Sequence, residues 1–371
     1  MSSFLQATKK VLSTPPVPGP SSSAARKRRA SAPVNATDTL APTTSAARAA
    51  PAVVPPEPTA TGRAVNAALI QPVMAVAGSV MELNLRRHGF SSSKVETPEG
   101  AVHMWDGQGM CPEGPTVVFL HGLATFASEY PAALINLLKT SRRVIAVDLP
   151  GAGRSFTFTP EQQSSGPRHC AAVAVRAVCH AVKQKTSEDL VLVGHSLGGF
   201  IAGACCLDEG FRTQVKHLIL VSPDGAPWPE ADLEAARTMM HVRHYKDALA
   251  TAQRNWQNQP VLSHVMAPFI WARFAEAKVR TMVDSDMFEP TFAPEQLAAL
   301  PARTLLIVGQ KEGEYVAAGR LAYFQANLPA GYALARPDVA HGDITGGPAC
   351  LMELISDYAA GKDVGTQPRP L

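Results

Sequence analysis

Ser196, a late histidine and two strand-end carboxylates are the side chains of this chain whose types and spacing can do chemistry together. Ser196 stands in Gly194-His195-Ser196-Leu197-Gly198-Gly199, directly after the apolar run Leu190-Val191-Leu192-Val193. A buried strand that ends in Gly-x-Ser-x-Gly and continues as a helix puts its serine on a tight strand-to-helix turn. There the hydroxyl is exposed, and the helix N-terminus aims backbone N–H groups at any negative charge that develops beside it. A Cβ two residues before or after the serine would collide with neighbouring backbone, which is why glycine is needed there. The competing reading is a capping serine at a plain helix start. The strand before it and the helix after it favour a nucleophile.

A serine hydroxyl is a weak nucleophile at neutral pH, so a histidine must take its proton and an acid must orient that histidine. The base is expected after the acid, near the C-terminus. Of the eleven histidines, His341 in Asp338-Val339-Ala340-His341-Gly342-Asp343 has that order, just past the strand-like stretch 332–336. The acid has two candidates. Glu312 follows the buried strand 303–309, with Glu314 close by; Asp224 follows the strand 217–221. Glu312 is the first choice and Asp224 the alternative. Donors for the oxyanion are expected from the residue after the serine and from a loop after an earlier strand. Val117 to Leu120 reads as that strand, and Gly122 bends the chain so that the amides of Leu123 and Leu197 converge. The side chain of His121 is read as structural.

These motifs resemble a known family. Asp148-Leu149-Pro150-Gly151-Ala152-Gly153-Arg154-Ser155 is similar to the Asp-x-Pro-Gly-x-Gly-x-Ser loop of α/β-hydrolases. His121-Gly122, the Ser196 elbow and His341 match that superfamily in order and spacing, over roughly residues 86–360. The segment 217–227 further resembles the branch of the lipid-droplet lipase coactivator and the N-acyl phospholipid lipases. The coactivator lacks the serine; this chain keeps Ser196, which favours a working hydrolase. Two positions depart from the pattern. The usual aspartate after the penultimate strand is Glu312, which leaves the acid open. The His-x4-Asp of that branch runs from His341 to Gly346, which argues against carrying over acyltransferase activity.

The elements that must position these residues alternate strand and helix from a hairpin at 92–106 onward, which implies a mostly parallel sheet covered on both faces. The expected α/β fold is an eight-stranded sheet, in the α/β-hydrolase arrangement, with core segments 86–225 and 301–361. Between 226 and 300 helical patterns take over, and an insertion there would cap Ser196 and exclude water. Met239, Met240, Met266, Met282 and Met287, with Trp256 and Phe269, are candidates to line an apolar pocket or simply to pack the cap. An apolar cap favours a substrate with hydrocarbon character.

Composition limits the rest. With 371 residues and 46% hydrophobic content, the chain can bury a large core beside an extension. Residues 1–60 carry seven Lys/Arg against two acids, which concentrates the net charge of +3 in that tail. Residues 1–61 are Pro/Ser/Ala-rich and cannot bury enough apolar surface to fold. They read as an import segment for a mitochondrion or plastid, or as a cytoplasmic tail. Residues 62–85 read as a helix on the domain, too interrupted to span a bilayer, with peripheral lipid contact as a minor alternative. Residues 362–371 read as a flexible end. No nucleic-acid-binding face is evident. The six cysteines lack metal spacing and read as reduced. No cofactor and no metal are called for, and the oligomeric state is open.

The expected function is hydrolysis of carboxylic esters, with a small-molecule ester or lipid as substrate, through an acyl-enzyme on Ser196. Carbon–carbon or amide cleavage by the same triad is an alternative. So is a lipid- or protein-binding module that keeps the fold without turnover. Dehalogenase and epoxide hydrolase chemistry needs a carboxylate where Ser196 stands, and is disfavoured.

Overall fold

The apolar runs form one twisted eight-stranded sheet in the computed structural model of the chain, which describes residues 71–229, 242, 244–255, 260–275, 279, 290–301, 303–312, 319–330 and 332–364. The strands are β1 (Phe90–Thr97), β2 (Gly100–Gln108), β3 (Thr116–Leu120), β4 (Arg143–Val147), β5 (Leu190–His195), β6 (Val215–Val221), β7 (Thr304–Ile307) and β8 (Ala333–Ala335). Their order across the sheet is β1-β2-β4-β3-β5-β6-β7-β8. β2 runs antiparallel to both its neighbours, and every pairing from β4 to β8 is parallel. A parallel sheet buried on both faces selects continuous apolar strands rather than alternating ones. That is the pattern of β3 and β5, where every residue is buried.

Helices cover the two faces. α1 (Gln71–Arg87), α2 (Pro131–Thr140) and α8 (Ala349–Ala359) pack with one core cluster; α3 (Pro167–Lys185), α4 (Leu197–Cys205) and α7 (Arg320–Asn327) pack with the other. The doubly wound alternation therefore places β3, β5, β6 and β7 side by side, and the loops leaving their C-terminal ends meet above the middle of the sheet. In open α/β sheets that edge is where sites are built.

Between β6 and β7 the chain supplies α5 (Tyr245–Asn255) and α6 (Pro260–Ala275), which pack on each other. Met266, Leu249 and Ile270 pack around Ala252 and Ala267, so Met266 serves the inside of this insertion. Three contacts tie it to the sheet edge. The Gly342 N–H donates to the Asn255 carbonyl at 3.0 Å, and Arg273 pairs with Glu129 while its guanidinium lies 4.3 Å from the centre of the Phe126 ring. The tail 1–61, Met239, Met240, Met282, Met287, Trp256 and Glu314 lie outside the described residues. No helix among the described residues is long and apolar enough to cross a membrane.

Candidate active site

Ser196 occupies the single residue between β5 and α4, with φ 53° and ψ −122°. An L-residue pays for a positive φ in steric strain, and such strain gathers at functional sites. The turn is over-determined by hydrogen bonds. The Ser196 N–H donates to the Val221 carbonyl at 3.0 Å, and its own carbonyl accepts from the N–H groups of Gly199 at 2.8 Å and Asp224 at 3.0 Å. A Cβ on Gly194 would stand 2.3 Å from the Gly198 carbonyl oxygen, and one on Gly198 would stand 2.4 Å from the carbonyl oxygens of both Leu120 and His121. The glycines thus let α4 start against the end of β3.

The structure brings Glu312 to His341. Glu312 is buried, and its Oε2 lies 3.1 Å from His341 Nδ1. Its other oxygen accepts from Ser222 Oγ at 2.5 Å and from the Gly309 N–H at 2.8 Å. The carboxylate is held by three donors from the ends of β6 and β7 and from the histidine loop. With Nδ1–H given to Glu312, the imidazole keeps Nε2 for other work. Burial pushes the His341 pKa down, but the hydrogen bond and charge of Glu312, with the charge of Asp224 added, outweigh it. The result lies above the ordinary histidine value, against a smaller opposing effect of Arg320.

Asp224 is placed differently. Its Oδ1 accepts from Arg320 Nη2 at 2.9 Å, and its Oδ2 lies 3.5 Å from Ser196 Oγ. Both members of the ion pair are buried, and the guanidinium sits 4.3 Å from the Trp228 ring centre. The hydrogen bond to the imidazole goes to Glu312, and Asp224 stands beside the serine with one oxygen on Arg320 and the other toward Ser196 Oγ.

The turn after β3 lies against the elbow: a Cβ on Gly122 would be 3.3 Å from the Ser196 Cβ and 3.0 Å from His195 Nδ1. Three side chains fix this turn. The Gly122 N–H donates to Tyr130 Oη at 3.1 Å, Thr125 Oγ1 donates to the Gly122 carbonyl at 2.8 Å, and Tyr130 Oη lies 3.0 Å from His195 Nδ1. His195 Nε2 then reaches the His341 carbonyl at 3.1 Å, so the turn, the elbow and the histidine loop share one network. Burial and the neighbouring His341 hold the His195 imidazole far below its ordinary value, which keeps it neutral in this chain of hydrogen bonds. His121 is fully engaged: Nδ1 bonds the Gly122 carbonyl at 2.8 Å and Nε2 accepts from the Leu149 N–H at 2.9 Å. Its burial lowers the pKa, so it too is a neutral structural ring.

Sequence reasoning missed Tyr130, His195, Ser222 and Arg320. His195 was inside the recognised motif, but its outward bonding depends on residues 65 and 146 positions away. Nothing local ties Arg320, the first residue of α7, to Asp224, which lies 96 positions away.

The span that holds Gly122, Ser196, Asp224, Glu312 and His341 is also the span that matches a known family: residues 117–346 fit the Alpha/beta hydrolase family. The chain belongs to that family. Among relatives, this α/β hydrolase is 31% identical over 125 residues to the (Lyso)-N-acylphosphatidylethanolamine lipase of Bos taurus, covering 33% of this chain and 34% of the relative. It is 33% identical over 113 residues to the 1-acylglycerol-3-phosphate O-acyltransferase ABHD5 of Rattus norvegicus, covering 30% of each chain. The α/β hydrolase thus spans about a third of the length of these curated relatives. Its fold is similar to that of a bacterial membrane phospholipase A, with a TM-score of 0.62 at 20% identity, covering 81% of this chain and 95% of that one.

Proposed function

We propose that this α/β hydrolase is a serine esterase that cleaves carboxylic esters through an acyl-enzyme. The observation that carries the reading is the Glu312–His341 hydrogen bond at 3.1 Å, in a chain whose Ser196 is strained at the strand-to-helix bend. In the acylation half, Ser196 Oγ attacks the ester carbonyl carbon and its proton passes to His341 Nε2. Glu312 holds Nδ1–H and stabilises the imidazolium that forms, without taking the proton itself. The carbonyl oxygen becomes an oxyanion facing the Leu123 and Leu197 amides, the latter in the first turn of α4. Collapse breaks the bond to the leaving oxygen, which takes its proton from His341 Nε2–H and departs as the alcohol. In the second half, water gives its proton to His341 Nε2 as its oxygen attacks the acyl carbon. The proton returns to Ser196 Oγ, and the carboxylic acid leaves.

Asp224 is assigned no part in orienting the imidazole, because one of its oxygens accepts from Arg320 and the other from Ser196 Oγ. The lipase and phospholipase names among relatives and fold neighbours support a lipidic ester as substrate. Val76, Val80 and Leu83 are exposed along one face of α1 at helical spacing, which supports contact with a lipid surface. Residues 226–300 act as the cap, and residues 1–61 as a targeting segment or tail.

The test is turnover of short p-nitrophenyl esters. Ser196→Ala is expected to remove about 10⁶ of kcat, because such a triad works as a unit. Undiminished hydrolysis by a folded Ser196→Ala protein contradicts the assignment.

A further inference from the structure

The turn after β3 carries strain that its surroundings must offset. Ala124 takes φ 59°, in the left-handed region that an L-residue enters against steric resistance. Two residues earlier, the Gly122 N–H donates to Tyr130 Oη at 3.1 Å, and Tyr130 is buried just before α2. Tyr130 Oη in turn lies 3.0 Å from His195 Nδ1, and His195 Nε2 lies 3.1 Å from the His341 carbonyl oxygen.

The hydrogens along this path have one direction. A carbonyl oxygen can only accept, so His195 Nε2 carries a hydrogen. Burial and the neighbouring His341 keep the His195 ring neutral, so it carries one hydrogen and Nδ1 presents a lone pair. Burial also pushes the Tyr130 phenol up, so it stays protonated and can give its O–H to Nδ1. Thr125 Oγ1 is within reach of Tyr130 Oη as well, at 3.1 Å, but a hydrogen given there would leave the buried Nδ1 without a donor. The opposite tautomer of His195 would set the Nε2 lone pair against the His341 carbonyl oxygen. Gly122 N–H therefore donates to Tyr130, Tyr130 O–H to His195, and His195 Nε2–H to His341. The rings follow the same path, with centroids 5.8 Å apart for Tyr130 and His195 and 4.8 Å for His195 and His341.

We infer that Tyr130 is a positioning residue for ester cleavage: through Oη it holds the turn that presents the Leu123 amide to the oxyanion, and through His195 it ties that turn to the backbone of the base, His341. The inference rests on the esterase reading of Ser196. Tyr130 touches no reacting atom in this scheme. Its hydroxyl decides where a donor stands when the oxyanion forms, so its loss should appear in kcat rather than in KM. Without Oη the buried Gly122 N–H has lost its acceptor, and the strained turn moves to find another.

The experiment uses the full chain, labelled with ¹⁵N at histidine, and two-bond ¹H–¹⁵N spectra of the imidazoles. The His195 ring is assigned by the signals lost in His195→Asn. A neutral ring with hydrogen on Nε2 is expected, and its Nδ1 signal should move in Tyr130→Phe as the bond from the phenol is lost. The kinetic arm reads p-nitrophenyl ester turnover. Tyr130→Phe should lower kcat by about tenfold or more with KM little changed and the fold intact by circular dichroism. His195→Gln keeps a donor near the place of Nε2 but no acceptor at that of Nδ1, so adding Tyr130→Phe to it should lower kcat much less than in the wild type. Should His195→Gln fail to fold, the spectra and kinetics of Tyr130→Phe alone decide. A His195 ring with hydrogen on Nδ1, an Nδ1 signal unmoved in Tyr130→Phe, or wild-type kcat in that variant would overturn the inference. A wild-type chain inert to both the ester and a fluorophosphonate would instead overturn the esterase reading, while the spectra still test the path of hydrogens.

Discussion

Glu312 and His341 come from two different loops, 29 residues apart in sequence, and meet at 3.1 Å above the sheet. The carboxylate does not hang free to make this contact. Ser222 and the Gly309 amide hold its second oxygen, so the imidazole is aimed by a group that is itself aimed. That arrangement sets what substitution should do.

Glu312→Gln keeps the shape and removes the charge, and an amide nitrogen facing Nδ1 favours the wrong tautomer. A fall in kcat of about 10⁴ is expected with little change in KM, as when such an acid is neutralised in a triad. Steady-state kinetics on a p-nitrophenyl ester, with circular dichroism to show that the fold persists, check it. Asp224→Asn should cost far less, since the Asp224 charge reaches the imidazole only from a distance.

His341 must be neutral to accept the serine proton, and its pKa is raised above 6.5, so kcat/KM should rise with pH through a midpoint above that value. The sign follows from the cause. The net upward shift comes from the Glu312 bond and charge, so in the residual activity of Glu312→Gln the midpoint should move to lower pH. A pH–rate profile of both proteins decides the matter, and a midpoint that stays put in the variant contradicts the role given to Glu312.

Gly122 and Gly198 should behave differently when each is replaced by alanine. At Gly122 the added Cβ meets His195 Nδ1 at 3.0 Å and the Ser196 Cβ at 3.3 Å, contacts that a small shift relieves. That shift displaces the turn, and a fall in kcat of about tenfold with near-native stability is expected. At Gly198 the Cβ meets two backbone oxygens at 2.4 Å, and backbone cannot step aside. A stability loss of about 3 kcal/mol or more is expected there. Urea unfolding run beside activity assays separates the two cases.

Removing one partner of the buried Arg320–Asp224 pair leaves the other charge uncompensated. Arg320→Met should cost about 3–5 kcal/mol, and adding Asp224→Asn should recover much of it. Equal stability of the single and double variants, measured by denaturant unfolding, would show that the pair is not electrostatically coupled.

The fold was legible because each strand announces itself locally. Val117 to Leu120 and Leu190 to Val193 are unbroken apolar runs, and only a sheet buried on both faces rewards that pattern. The elbow was legible for a related reason: glycines at 194 and 198 answer steric demands set by neighbours within the same few residues and the adjacent strand. The acid was not legible in the same way. Glu312 and Asp224 both follow apolar strands, and which one meets His341 depends on how β6, β7 and the histidine loop stack, a relation no local pattern encodes. Tyr130 and Arg320 were invisible for that reason too, since their partners are distant in sequence. The binary pattern also reads the Met266 region equally well as pocket or packing; the contacts of Met266 with Leu249 and Ile270 place it in packing.

The account turns on whether Ser196 is chemically activated, and a fluorophosphonate probe reads that property directly. Intact-mass analysis after incubation should show one phosphonyl adduct per chain, and peptide mapping should place it on Ser196. Labelling should slow steeply in Glu312→Gln and vanish in Ser196→Ala. A folded protein that takes up no probe, or takes it up equally well without Ser196, would contradict the account and leave a binding module on a hydrolase fold.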